Sequence, residues 1–234
     1  MHRGQLGIKP SLGIITFDFA HLKTEQVVES LLKEEGIGEI TIFALPFKER
    51  KERKIIFSHR PDQSKAMYTL DLAKKYDLNF VRWDGYQEIK RCDYYLVAGA
   101  GLIPSESIQG KKIINAHPGI IPSVRGLDAF KWAIYEGIEL GVTLHFIDGD
   151  VDCGEIISIE KTPVYTDDNI KTLAKRHYDL EVAMISNFMR FLEKKSKISM
   201  PQRDVHMRMP AQIEKEMLDK FSSYKERYAK AFSV

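Results

Sequence analysis

The sequence predicts an α/β fold: a doubly wound, mostly parallel sheet with a short C-terminal extension. Apolar, strand-like segments alternate with amphipathic segments of helical period, and this alternation is typical of parallel sheets covered by helices. Several apolar runs end in polar residues or are directly followed by them. The clearest case is the run that ends in Asn115 and His117. In such sheets the carboxyl ends of the strands face a crevice where ligands bind.

The elements follow from apolar runs, amphipathic periods and breaker residues. Leu12–Phe17 and Glu39–Leu45 read as buried strands around a helix, Thr24–Glu35, which Gly36 ends. The further expected strands are Leu78–Arg82, Asp93–Ala98, the run ending at His117, two strands within Gly141–Ile157, and an edge-type strand over Glu155–Val164. The further expected helices are Ser64–Tyr76, Leu127–Glu136, Asn169–Lys194 and a polar helix within Ala211–Phe232. We expect residues 1–195 to form one core and residues 196–234 a C-terminal extension.

The composition is that of an ordinary soluble protein. The chain has 234 residues, of which 44% are hydrophobic and 29% charged, with a formal net charge of +2. This balance argues against nucleic-acid and membrane partners. Cys92 and Cys153 cannot form a disulfide framework, and Gly, Lys and Pro interrupt the N-terminal segment where a signal peptide would be apolar. We therefore expect a cytoplasmic protein.

The first motif is I-I-N-A-H-P-G-I-I-P-S-V-R-G, from Ile113 to Gly126. An Ile-rich strand ends in Asn115 and His117, and Pro118 stops any regular element. Residues two apart on a strand share one face, so both side chains could reach the same reacting atom. The alternative is ordinary turn chemistry, with both groups satisfied locally.

The second motif is G-V-T-L-H-F-I-D-G-D-V-D-C-G-E-I-I, from Gly141 to Ile157. Its acidic loop begins like a calcium loop, because aspartates stand at alternate positions. Cys153 and Ile159 then occupy the places where that loop needs a Gly and a bidentate Glu. We therefore expect no metal.

Together the two motifs resemble the core of the formyltetrahydrofolate-dependent formyltransferases, over about Asp93 to Phe191. This family includes glycinamide ribonucleotide, methionyl-tRNA and nucleotide-sugar formyltransferases. The resemblance implies a Rossmann-like core, formyltetrahydrofolate as the formyl donor, and a catalytic trio of Asn115, His117 and Asp152. Asn115 would donate a hydrogen bond to the oxyanion of the tetrahedral intermediate. His117 would donate to the same oxyanion or move a proton, and Asp152 would orient His117 or accept a proton.

The resemblance also implies a slot for the pteridine ring of the folate. The near wall would consist of Val97, Gly101, Leu102 and Ile103, and the far wall of Ile147, Asp148, Gly149 and Val151. For the second substrate, Trp83 and Tyr86 would stack on a ring or pack internally. Arg125 would pair with substrate or with a loop carboxylate.

The acceptor is expected to be a nucleotide-linked amino sugar, a precursor of a cell-surface glycan such as lipopolysaccharide. The turn F-D-F-A-H-L-K after the first strand lacks the glycines that a phosphate cradle needs, whereas glycinamide ribonucleotide formyltransferases carry a Gly- and Ser-rich turn there. Too few residues follow the core for the C-terminal domain of methionyl-tRNA formyltransferases. A glycinamide ribonucleotide formyltransferase-like enzyme, a formyltetrahydrofolate hydrolase and a non-catalytic binding module stay open. By resemblance to the nucleotide-sugar members, the catalytic core would span residues 1–195, and residues 196–234 would form an acceptor-binding or interface segment. We also expect a homodimer.

Overall fold

The computed structural model describes residues 9–47, 52–147, 155–192 and 204–230, and the chain divides into two compact units. Unit 1 comprises Met1–Phe47 and Ser64–Ile113, and unit 2 comprises Lys48–Gln63 and Ile114–Val234. No helix within the described ranges is long and apolar enough to cross a membrane.

Unit 1 contains four parallel strands in the order β3-β2-β1-β4. Their bounds are β1 Leu12–Phe17, β2 Ile40–Leu45, β3 Asn79–Arg82 and β4 Tyr94–Val97, and the helices are α1 Leu22–Leu31, α2 Thr69–Lys75 and α3 Ser105–Ile108. β1 and β2 are continuous apolar runs because central parallel strands are covered on both faces. Parallel pairing brings the carboxyl ends of the strands to one edge of the sheet.

Unit 2 contains an antiparallel group of strands in the order β5-β7-β8, with β8 at its edge. The bounds are β5 Ile113–His117, β6 Arg125–Gly126, β7 Gly141–Phe146, β8 Ile156–Lys161 and β9 Val205–His206; the helices are α4 Ala129–Glu136, α5 Ile170–Ser186, α6 Phe188–Leu192, α7 Ala211–Asp219 and α8 Phe221–Tyr228. β6 and β9 form a separate parallel pair.

The prediction of an α/β fold with a mostly parallel sheet is confirmed. The antiparallel pairing of β5 with β7 was not predicted, because short apolar runs have the same composition in either direction. The helix expected over Asn169–Lys194 is divided into α5 and α6 in the structure. Asn169 caps α5 by accepting hydrogen bonds from the amides of Lys171 and Thr172. Asp168 instead binds Arg176 through two hydrogen bonds of 2.7 and 2.8 Å.

The C-terminal helices of unit 2 share a hydrophobic core with α4. Phe130, Met217 and Tyr224 are all buried within it. At its centre Lys131 Nζ lies 2.6 Å from the Glu214 carboxylate, and both side chains are almost fully buried. The same carboxylate accepts a hydrogen bond from the amide of Ile56. α7 therefore packs on α4 through the hydrophobic core and through the ion pair between Glu214 and Lys131. The expected boundary near residue 195 stays a prediction.

Candidate active site

Asn115 is the middle residue of β5 and faces His145 of β7 across the strand pair. Its Nδ2 is 3.3 Å from His145 Nε2, and His145 Nδ1 is 3.0 Å from the Phe146 carbonyl oxygen. A carbonyl oxygen only accepts, so His145 carries its proton on Nδ1 and its Nε2 accepts from the Asn115 amide. His145 therefore fixes which end of the Asn115 amide donates, and one further N–H remains on Nδ2.

His117 is the last residue of β5 and is buried. Its Nε2 lies 2.9 Å from the Val124 carbonyl oxygen, which can only accept. Nε2 consequently donates, and in the neutral ring Nδ1 is the acceptor nitrogen. The structure thus holds the His117 imidazole in one tautomer, the form that can take up a proton at Nδ1.

The turn after His117 is fixed by β7. Thr143 Oγ1 donates to the Gly119 carbonyl at 2.7 Å and accepts from the Ile121 amide at 3.0 Å. A side chain at position 119 would not fit, because a Cβ there would lie 2.8 Å from His117 Nε2 and 2.7 Å from the Val124 oxygen. Glycine is required at this position by close packing against the His117 ring.

The structure describes some of the other residues of unit 2 that were expected to bind substrate or folate, and not the rest. Arg125 is buried and begins β6, where it pairs with Val205. Ile147 is half-buried and follows β7. The predictions for Asp148, Gly149, Val151 and Asp152 lie outside the described residues. The roles of all these residues stay predictions.

In unit 1 the expected folate residues follow β4. Val97 ends that strand and is largely buried, Ile103 is half-buried, and Gly101 and Leu102 are exposed, Leu102 at 87%. Their contact with a folate stays a prediction.

The two aromatic residues expected at the substrate differ sharply in exposure. Trp83 is 2% exposed, and its Nε1 donates to the Gln87 carbonyl at 2.8 Å. Burial of this ring gives it a packing role, because a stacking partner needs an open face. Tyr86 is 75% exposed, and its ring is open to a ligand.

The described chemistry of the site is an oriented amide donor beside an imidazole whose Nε2 donates to the Val124 carbonyl. Sequence reasoning did not single out His145, because the pairing of β7 with β5 that places it opposite Asn115 was not predicted. Among the described residues, no group of three or more His, Cys, Asp or Glu side chains could hold a metal ion. The geometry favours chemistry in which a developing oxyanion is stabilised and a proton is moved.

Comparison with known proteins relates this part of the chain to a family. Residues 82–189 match the family model described as Formyl transferase. The resemblance drawn from the sequence is thereby confirmed for residues 82–189.

Similar proteins extend the likeness beyond that stretch. Methionyl-tRNA formyltransferase of Sulfurimonas denitrificans is 24% identical over 174 residues, covering 72% of this chain and 58% of that protein. Phosphoribosylglycinamide formyltransferase of Bacillus subtilis is 33% identical over 101 residues, covering 41% of this chain and 52% of that protein. The chain thus spans little more than half the length of either relative. A sugar N-formyltransferase from Shewanella shares the fold with a TM-score of 0.60 at 14% identity, covering 92% of this chain and 88% of that one.

Proposed function

We propose that this protein is an enzyme that transfers a formyl group from formyltetrahydrofolate to the amine of a nucleotide-linked amino sugar. The observation that carries the transferase part is the pair Asn115 and His117 in β5, with His117 at its carboxyl end, within the stretch that matches the formyl transferase family. His145 orients the Asn115 amide, and the Val124 carbonyl holds the His117 ring. Both groups are therefore preorganised before substrate arrives, which is how enzymes stabilise a transition state most effectively.

The reaction assigns a separate task to each side chain. The neutral acceptor amine attacks the formyl carbon, and the carbonyl oxygen becomes an oxyanion that accepts the remaining N–H of Asn115. His117 Nδ1 takes the proton of the new ammonium group and returns one to the departing tetrahydrofolate nitrogen as the carbon–nitrogen bond breaks. Asp152 is proposed to stabilise the charged form of His117.

The choice of acceptor is supported by the turn after β1 in unit 1. Asp18 stands in this turn and is paired with Arg82 at 2.7 Å. A carboxylate and a turn without glycine suit a phosphate poorly. Aromatic rings surround the turn: Phe19 stacks on Phe47 with centroids 4.6 Å apart, and Tyr68 is 53% exposed. Such rings favour a planar base.

The proposal also includes the remaining expected roles. The residues around Val97 and Gly101 would contact the pteridine, and Tyr86 and Arg125 the acceptor. Both substrates are small molecules, and a cytoplasmic homodimer is proposed. A glycinamide ribonucleotide formyltransferase or a hydrolase are the alternatives that the test separates.

The test is an assay of tetrahydrofolate formation with purified protein and formyltetrahydrofolate. The acceptor is varied among nucleotide-linked amino sugars, glycinamide ribonucleotide and none. We expect turnover only with an amino sugar, and its loss in Asn115→Ala and His117→Ala. Asn79→Ala is the matched control, because Asn79 is an exposed residue of β3 bonded to Glu39. Equal release of folate without any acceptor would indicate a hydrolase.

A further inference from the structure

His177 is a fully buried histidine of α5 that the reaction above does not use. Its Nε2 lies 3.2 Å from the Pro118 carbonyl oxygen, and its Nδ1 lies 2.7 Å from Thr162 Oγ1. Thr162 directly follows β8 and is itself buried. The imidazole therefore bridges the end of β8 and the turn that follows His117.

The hydrogen-bond partners fix the tautomer of His177. The Pro118 oxygen accepts only, so Nε2 donates, and Nδ1 accepts the hydroxyl hydrogen of Thr162. Burial lowers the pKa of His177 to about 4, and Glu181 only partly opposes this. The ring is consequently neutral near pH 7, and Thr162 is the group that keeps its proton on Nε2.

The Pro118 carbonyl is a sensitive point of the turn. It stands between His117, whose ring binds the Val124 carbonyl, and Gly119, whose carbonyl is held by Thr143 of β7. The two successive carbonyls are thus held by two different elements, β7 and α5. Without the bond from His177, the Pro118 carbonyl would lose its contact with α5, and the turn would be held only by the bond from the Gly119 amide to the His117 carbonyl, at 2.8 Å, and by Thr143 of β7.

We propose that His177 and Thr162 act as a positioning pair that fixes the Pro118 carbonyl and, through this turn, the orientation of the His117 imidazole. This inference rests on the proposed function for its effect on turnover, but its structural consequence at His117 is independent of any activity. In this proposal, α5 and the residue after β8 help to position the His117 imidazole for formyl transfer.

A packing role would make a different prediction from a positioning role. The ring of His177 also contacts Phe130, with centroids 5.4 Å apart. If packing alone mattered, any side chain of similar size would serve. Glutamine places its amide nitrogen near the position of Nε2, and asparagine places its amide near Nδ1. His177→Gln therefore keeps the bond to Pro118, and His177→Asn loses it.

The experiment compares these two variants in the full chain. Two quantities are measured: the ring-nitrogen NMR signals of His117, and kcat and KM with the amino-sugar acceptor. For His177→Asn we expect shifted His117 signals and a kcat lower by about 10- to 100-fold, with KM within about threefold, because a small misplacement of a reacting group is costly. For His177→Gln we expect wild-type signals and a kcat within about threefold. Equal behaviour of the two variants would overturn the proposal.

A second pair covers the case in which His177→Asn does not fold. Thr162→Val removes the donor to Nδ1, and Thr162→Ser retains it. We expect Thr162→Val alone to shift the His117 signals and lower kcat, and wild-type behaviour of Thr162→Val would refute the pair. If wild-type protein shows no formyl transfer, the proposed function fails, whereas the His117 signals still decide the positioning claim.

Discussion

Replacing Gly119 with alanine tests how closely the turn is fitted around His117. The added methyl group would lie 2.8 Å from His117 Nε2 and 2.7 Å from the Val124 oxygen. Ordinary contact begins near 3.4 Å, so these atoms must separate from the methyl by about 0.6 Å. They form the 2.9 Å hydrogen bond that fixes the ring, and the methyl would weaken that bond.

We expect Gly119→Ala to lower the free energy of unfolding by about 1–3 kcal/mol, the usual cost of overpacking. We also expect kcat to fall by about 10- to 100-fold, since the His117 ring is displaced. Urea unfolding and the formyl-transfer assay measure the two effects. Gly36→Ala is the matched control, because no atom lies within 4 Å of a Cβ built there. Wild-type kcat in a folded Gly119→Ala protein would refute the reasoning.

Three further predictions concern buried charge and pH. Glu214→Gln should lower the free energy of unfolding in urea by about 3–5 kcal/mol, because the fully buried Lys131 ammonium loses its counter-charge; an effect below about 1 kcal/mol would contradict this. Because the pKa of His177 falls from 6.5 to about 4 on folding, the unfolded chain binds the proton first. Wild-type stability should then fall by up to about 3 kcal/mol as the pH drops from 6.5 to 4, and His177→Gln should lack this part of the loss. Burial raises the pKa of Asp168, but hydrogen bonds from Arg176 and its neighbours hold that pKa below the ordinary value. The stability that Asp168 contributes is therefore present above about pH 3.9 and is lost as the pH falls below it. Asp168→Asn should remove this part of the loss of stability in acid, as measured by thermal unfolding at several pH values.

Much of the fold could be predicted because burial on both faces leaves a strong pattern. Leu12–Phe17 was predicted as β1 with the bounds it has, and β2 differs by one residue. The pattern does not specify strand direction, so the antiparallel β5 and β7 were missed. The link from Glu214 to Lys131 was also missed, because the two residues lie 83 positions apart and each alone looks like a surface charge.

The candidate site was predictable where chemistry and turn signals coincide. Asn115 and His117 stand before a Pro-Gly pair at the end of an apolar run, and the structure places both in β5, Asn115 in the middle of the strand and His117 at its end. His145 and His177 support this site from other elements, and nothing near them in sequence marks them as parts of it. For Trp83 the sequence left stacking and internal packing open, since an aromatic residue after a strand looks the same whether it is exposed or buried.

The most direct test of the central claim follows the formyl group itself. The protein is incubated with an amino-sugar nucleotide and with formyltetrahydrofolate that carries an isotopic label in the formyl carbon. The mass of the acceptor is then measured by mass spectrometry. We predict that the acceptor gains one labelled formyl group, and that Asn115→Ala slows this gain by about 100- to 1,000-fold. Labelled formate beside an unchanged acceptor would contradict the assignment as a transferase.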